Sequence, residues 1–146
     1  MQRPTFEEIY MSLADTISKR STCSRLKVGT VITSTDYRKV LALGYNGAAS
    51  GLPNRCERDE PGNCGCATHA ELNAMINCDT PRYVEKIVFI THAPCINCAK
   101  ALINFGNIKQ IYYRDTYRDL SGVKLLDSVG IPIAQFSGGR VQESER

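Results

Sequence analysis

The sequence has no apolar segment long enough to span a membrane, no signal peptide and no run of basic residues. We therefore expect an intracellular, cytoplasmic protein with no membrane partner. A net charge of only +3 argues against a nucleic-acid partner, although it is compatible with a small anionic one. No internal repeat or low-complexity segment is present. The hydrophobic content of 42% and charged content of 23% are ordinary for a globular protein, and 146 residues predict a single domain, 1–146.

Histidine is scarce, with two residues, whereas cysteine is not, with seven. In an intracellular chain, cysteines indicate metal sites more often than disulfides. His69, Cys95 and Cys98 offer one imidazole and two thiolates, which suit Zn²⁺ in a tetrahedral site whose fourth position is left for water. Cys95 and Cys98 are three residues apart, so a helix that begins here directs both sulfur atoms the same way. Pro94 favours such a start.

Glu71 follows His69 by two residues in the first turn of another predicted helix. At that spacing its carboxylate points away from the imidazole, so we expect it beside the metal and not on it. A carboxylate in that position can take a proton from a zinc-bound water and carry it to a substrate. The combination predicts the machinery of a hydrolytic deamination, with Glu71 as the catalytic residue.

Two alternatives for the same residues are open. A Cys-x-x-Cys pair on its own is ambiguous among structural zinc, a redox dithiol and chance. A closed structural site of His69, Cys95, Cys98 and Glu71 is also conceivable, but carboxylates seldom complete structural zinc sites.

A second group of cysteines lies in and before a long loop that runs from Asn46 to Cys66. If they converge, they form a second, structural zinc site that staples the loop. Otherwise they are buried free thiols. The sequence leaves both interpretations open for Cys23, Cys56, Cys64 and Cys66.

The periodicity of apolar residues predicts an α/β fold. A helix over Thr5–Lys19 precedes a hairpin of Val28–Thr33 and Val40–Tyr45, and helices and strands then alternate. The expected architecture is a three-layer αβα sandwich around a mixed five-stranded sheet. The remaining predicted strands are Lys86–Thr91, Lys109–Tyr113 and Ile131–Phe136, and residues 137–146 are predicted to form a flexible tail.

The motif His-x-Glu followed by Pro-Cys-x-x-Cys is the signature of zinc-dependent nucleobase deaminases. With its surroundings, the sequence resembles the deoxycytidylate (dCMP) deaminase family, which has a cytidine deaminase-like fold. The stretches that carry the resemblance are Ser21-Thr22-Cys23-Ser24-Arg25, Val28-Gly29, Gly44-Tyr45-Asn46-Gly47, His69-Ala70-Glu71-Leu72-Asn73-Ala74 and Pro94-Cys95-Ile96-Asn97-Cys98-Ala99-Lys100.

The resemblance implies hydrolysis of dCMP to dUMP and ammonia in pyrimidine deoxynucleotide metabolism. It further implies a homohexamer that dCTP with Mg²⁺ activates and dTTP inhibits. Tyr45, Asn46 and Gly47 correspond to a loop that the family uses for nucleotide binding.

We expect the side chain of Asn46 to contact the deoxyribose. For the 5′-phosphate we expect Arg25, with Arg118 as the second candidate, because a guanidinium group matches phosphate geometry. The alternative for both arginines is a solvated surface position. His92, the other histidine, is expected to be a satisfied or exposed loop residue, although its position allows a contact with the metal ligands.

Other functions share these motifs. A deaminase of free cytidine or deoxycytidine, of a tRNA adenosine or of a pterin-like intermediate would carry the same zinc residues. A zinc-dependent nucleotide-sensing module without activity is the alternative from another class, but such a module would not need Glu71.

Overall fold

The computed structural model describes residues 2–23, 25–53, 67–116, 119–137 and 140–143, the last four by their backbone only. The helices of this part of the chain are α1 (Phe6–Ser18), α2 (Ala70–Asn77), α3 (Ile96–Phe105) and α4 (Ser121–Ser128). Its strands are β1 (Gly29–Ser34), β2 (Val40–Tyr45), β3 (Gly47–Ala48), β4 (Ala67–Thr68), β5 (Lys86–His92), β6 (Ile108–Asp115), β7 (Ile133–Ser137) and β8 (Arg140–Glu143).

A six-stranded sheet in the order β2-β1-β5-β6-β7-β8 forms the centre of the molecule. Strand β1 pairs antiparallel with both β2 and β5, whereas β5, β6 and β7 are parallel to one another. The prediction of a mixed sheet is confirmed, and all five predicted strands are members of it. Their observed ends differ from the predicted ones by a few residues.

The sixth strand was not predicted. Strand β8 pairs antiparallel with β7 and lies within the segment 137–146, for which we expected a flexible tail. The expectation was wrong for residues 140–143. An edge strand is held by main-chain hydrogen bonds, which a pattern of polar and apolar side chains does not reveal.

Two apolar clusters on opposite faces of the sheet confirm the three-layer sandwich. On β5, Val88 and Ile90 belong to the cluster shared with α2, α3 and α4, while Ile87 and Phe89 belong to the cluster shared with α1. This alternation follows from the period of two in a strand. Burial on both faces explains why β5 is an almost continuous apolar run.

A small two-stranded ladder joins the two ends of the predicted long loop. Gly47 pairs with Thr68, and Ala48 pairs with Ala67. The ladder therefore brings the residues after Asn46 next to the residue before His69. Residues 54–66 of the loop lie outside the described residues.

No helix of the described residues is both long and apolar enough to cross a membrane.

Candidate metal and active site

The site forms where the N-termini of α2 and α3 meet. His69 is the N-cap of α2, and Cys95 is the N-cap of α3. The Nδ1 atom of His69 lies 3.1 Å from Sγ of Cys98 and 3.5 Å from Sγ of Cys95. The three potential ligand atoms all lie within 4.8 Å of one another. Among the described residues, these three form the group of histidine, cysteine and acidic side chains that is compact enough to hold a metal ion.

The start of α3 explains why the two sulfur atoms face the same way. Cys95 precedes the helix with an extended backbone, and its Sγ accepts a hydrogen bond of 3.4 Å from the N–H of Cys98. The prediction of a helix that begins at this pair is confirmed. Pro94 lies just before the N-cap and is buried. One imidazole and two sulfur atoms from two helix starts fit zinc, with one tetrahedral position left over.

The electrostatics of the two cysteines favour one thiolate before any metal binds. Hydrogen bonds from the Cys98 thiol and from His69 lower the pKa of Cys95 to about 4. The pKa of Cys98 is raised, because its thiol donates to Cys95 and is buried. The negative charge on Cys95 is held at a helix N-terminus, where the helix dipole favours it. The pKa of His69 is raised, mainly by its hydrogen bond to Cys95.

Glu71 lies in the first turn of α2 beside these residues and outside the compact group. Its side chain is only 5% exposed. Burial raises the pKa of its carboxyl group to about 7, and the group contacts the thiol of Cys98. A carboxyl group with a pKa near neutrality can both take up and release a proton at the pH of a cell. The arrangement therefore places a carboxyl group that can exchange a proton next to the three potential ligands.

Asn46 is buried and bonded to the segment before β1. Its Oδ1 atom accepts a hydrogen bond of 2.8 Å from the N–H of Val28, and its Nδ2 atom donates to the carbonyl of Leu26 at 2.7 Å. The side chain thus holds the chain next to Arg25, which is half-buried. One N–H and one lone pair of the amide remain for a ligand. Contact with a sugar stays a prediction.

The other predicted binding residues are placed only in part. Tyr45 is half-buried and Gly47 is buried, and both flank Asn46 at the end of β2. Cys23 is buried as well. Several predicted residues lie outside the described part of the chain, so the second zinc site and one phosphate contact stay predictions. These residues are Cys56, Cys64, Cys66 and Arg118.

His92 takes part in a polar network at the end of β5 and does not belong to the metal-binding group. Its Nδ1 atom lies 2.8 Å from the hydroxyl of Thr91, and its Nε2 atom lies 3.6 Å from a carboxylate oxygen of Asp115. Arg114 connects Asp115 to Asp15 of α1. Burial lowers the pKa of His92. The histidine has partners near both ring nitrogens, in agreement with the expectation of a satisfied residue, but it is the last residue of β5 and not part of a loop.

The sequence agrees with this geometry. The family model described as "Cytidine and deoxycytidylate deaminase zinc-binding region" matches residues 4–114. The chain belongs to this family. The resemblance that the motifs indicated is therefore confirmed, and the matched region contains His69, Glu71, Cys95 and Cys98.

Relatives of this deaminase-family chain include proteins of similar length. It is 31% identical to the deoxycytidylate deaminase of Mycobacterium phage D29, over 80% of this chain and 100% of that protein. It is also 31% identical to ComE operon protein 2 of Bacillus subtilis, over 92% of this chain and 73% of that protein. A solved structure, the dCMP deaminase of the cyanophage S-TIM5 in complex with dCMP and dUMP, superposes with a TM-score of 0.82 at 31% identity and covers 93% of this chain and 100% of that one.

Two glycines allow close main-chain contacts around this deaminase site. Gly44 lets α2 approach β2, and Gly122 lets α4 approach Pro94 and Cys95. Neither glycine was predicted to have this role. A Cβ atom on Gly44 of β2 would lie 2.4 Å from the carbonyl oxygen of Ala70 in α2. A Cβ atom on Gly122 of α4 would lie 2.2 Å from the carbonyl oxygen of Pro94 and 2.8 Å from that of Cys95. Only glycine permits such approaches. Gly44 belongs to the Gly44-Tyr45-Asn46-Gly47 motif, one of the stretches that carry the family resemblance. Nothing in the sequence around Gly122 indicates a contact with Pro94.

We expect Gly122→Ala to weaken zinc retention. The added methyl group would overlap main-chain atoms that cannot move without shifting Cys95. The measurement is the zinc content of the purified variant after dialysis against a chelator.

Gly130→Ala is the matched control, because Gly130 has φ +83° but a Cβ atom added to it would have no other atom within 4 Å. The control should lose roughly 1 kcal/mol of stability through backbone strain and keep its zinc. Equal zinc content in the two variants would contradict a role for Gly122 in holding the metal-binding helix.

Proposed function

We propose that this chain is a zinc-dependent deaminase that hydrolyses dCMP to dUMP and ammonia. The observation that carries the proposal is the compact group of His69, Cys95 and Cys98 with the buried carboxyl group of Glu71 beside it and outside it. Family membership and the full-length similarity to the S-TIM5 enzyme, whose structure holds dCMP and dUMP, support the choice of substrate.

In this proposal His69, Cys95 and Cys98 hold the zinc ion, and the thiolate already favoured at Cys95 lowers the cost of assembling that site. The bound ion would supply a nucleophilic hydroxide near neutral pH. The two cysteines would contribute negative charge, and the histidine would be the third protein ligand. Glu71 is the second residue of α2, whose N-cap is His69, so its position relative to the site is fixed by the helix itself.

Glu71 carries the protons of the reaction. It accepts one from the attacking water and delivers it to N3 of the cytosine ring, which makes C4 electrophilic. After attack at C4, it takes the proton of the new C4 hydroxyl and passes it to the amine, which leaves as ammonia while the C4 carbonyl forms. Its raised pKa suits both steps, because a carboxylate of ordinary pKa would be a weaker base toward the water and would seldom carry a proton near neutral pH.

The rest of the nucleotide is held by the loops around His69. Asn46 joins the segment before β1 to the end of β2, and it directs its remaining amide N–H or lone pair to the deoxyribose. Arg25, next to the segment that Asn46 holds, binds the 5′-phosphate, with Arg118 as a second candidate. Tyr45, Asn46 and Gly47 are proposed to contribute to nucleotide binding in regulation.

Further parts of the proposal rest on the resemblance to the dCMP deaminase family. They are a homohexameric assembly in the cytoplasm, activation by dCTP with Mg²⁺ and inhibition by dTTP. A second, structural zinc ion on Cys23, Cys56, Cys64 and Cys66 belongs to the same set.

The direct test is an assay of the purified protein with dCMP, deoxycytidine and single-stranded DNA as separate substrates. We expect ammonia release from dCMP alone, abolished by removal of zinc and restored by its return. We expect dCTP with Mg²⁺ to raise the rate and dTTP to lower it. Turnover of deoxycytidine in preference to dCMP would refute the proposed substrate, and indifference to both nucleotides would refute only the proposed regulation.

Glu71→Gln separates proton transfer from metal binding. The amide has nearly the same size but carries no proton in catalysis, so we expect turnover to fall by at least about 100-fold while zinc content stays at the wild-type level.

Glu85→Gln is the control, because Glu85 is an exposed carboxylate elsewhere on the surface. It should leave both turnover and zinc unchanged. Comparable turnover in Glu71→Gln and wild type would reject the role of Glu71 as proton carrier.

Elemental analysis tests the second metal site. We expect two zinc ions per chain, and one in the Cys64→Ser variant, which should keep the catalytic ion. A single zinc ion in the wild-type protein would leave the four cysteines without a metal role.

A further inference from the structure

The N-terminus of α2 lacks the side-chain cap that usually fixes a helix start. His69 has the extended backbone of an N-cap residue, with φ −76° and ψ 149°, but its side chain makes no capping hydrogen bond. Serine, threonine, aspartate and asparagine normally serve here, because their oxygen atoms accept hydrogen bonds from the first turn. The imidazole of His69 is directed at Cys95 and Cys98 instead. Something else must set the direction in which the chain enters this helix.

Asn73 and Thr68 do not cap the helix but anchor its start to the neighbouring loop. The Nδ2 atom of Asn73 donates to the carbonyl oxygen of Tyr45 at 2.8 Å and to the hydroxyl of Thr68 at 2.9 Å. The hydroxyl of Thr68 in turn donates to the carbonyl oxygen of Gly47 at 2.9 Å. A carbonyl oxygen can only accept, so the chemistry of Tyr45 fixes which end of the Asn73 amide faces it.

These hydrogen bonds connect helix α2, strand β4 and the Tyr45–Gly47 segment. Thr68 is the residue before His69, and the side chain of Asn73 bonds the Thr68 hydroxyl, so both side chains act on the chain that enters the histidine. Tyr45 and Gly47 lie on either side of Asn46. The metal-binding histidine and the proposed sugar-binding loop are thus held by the same two side chains.

We propose that Asn73 and Thr68 are positioning residues that hold the backbone of His69 for the metal ion and hold the Tyr45–Gly47 segment beside it. The effect on substrate rests on the function proposed above. The effect on zinc retention does not, because it concerns only the geometry of His69.

Two pairs of variants test the proposal. Asn73→Ala removes both donated hydrogen bonds. Asn77→Ala is its control, because Asn77 lies one turn further along α2 and also donates to a carbonyl of β2, that of Leu43, at 3.0 Å. Both changes replace an asparagine of the same helix by alanine, and both remove a hydrogen bond to a carbonyl of β2. Thr68→Val removes the hydroxyl at nearly constant shape, and Thr68→Ser restores it.

Zinc affinity is measured by competition with a chromophoric chelator, and thermal unfolding of the zinc-free variants shows that each is folded. We expect Asn73→Ala and Thr68→Val to bind zinc about 10-fold or more weakly, the size of effect seen when groups that orient a metal ligand are removed. Asn77→Ala and Thr68→Ser should stay close to the wild type. In the dCMP assay, the first two should also raise KM, because the Tyr45–Gly47 segment is released.

Zinc affinities of Asn73→Ala and Thr68→Val equal to those of their controls would overturn the proposal. If Asn73→Ala does not fold, the comparison of Thr68→Val with Thr68→Ser decides alone. A wild-type protein that does not deaminate dCMP would refute the proposed function, and the zinc measurements would still decide the role of Asn73 and Thr68.

Discussion

The contact between His69 at the start of α2 and the two cysteines at the start of α3 is the interaction on which the rest of the site depends. The two helices belong to different parts of the chain, and their side chains meet because both helices pack on the same face of the sheet. A thiolate at Cys95 is stabilised by the N-terminus of α3, by the Cys98 thiol and by His69 together. The fold therefore favours one negatively charged ligand, Cys95, before any metal binds.

Backbone contacts control this geometry more than side-chain packing does. Gly44 lets α2 approach β2, and Gly122 lets α4 support the main chain of Pro94 and Cys95. Asn46 and Asn73 then bond main-chain atoms of the loops on either side. The main chain next to His69 and Cys95 is thus held by neighbouring residues and not only by the side chains of these two residues.

The sequence predicted most of the fold and the residues of the site, for identifiable reasons. The strand at Lys86–Thr91 has β-branched and aromatic residues in a continuous run, and it was found at Lys86–His92. The residue types and the spacing of His69, Cys95 and Cys98 indicate zinc binding directly. Glu71 could be separated from the metal-binding group because helical geometry separates neighbours two residues apart.

Other features carry no comparable signal in the sequence. Strand β8 forms through main-chain pairing at a sheet edge, and its residues do not alternate between polar and apolar types. Gly122 and Pro94 are distant in the sequence, and glycine has no side chain whose type could indicate the contact between them. The polar partners of Asn46 and Asn73 are carbonyl and amide groups of the main chain, so residue types alone could not identify them.

The most direct test of the account is a crystal structure of the zinc-loaded protein, with the metal located by anomalous scattering at the zinc absorption edge. We expect a zinc ion bound by Nδ1 of His69 and by the sulfur atoms of Cys95 and Cys98. The carboxyl group of Glu71 should lie nearby without coordinating the ion. A zinc ion that Glu71 also ligates, or a cysteine of this pair that points away from the metal, would contradict it.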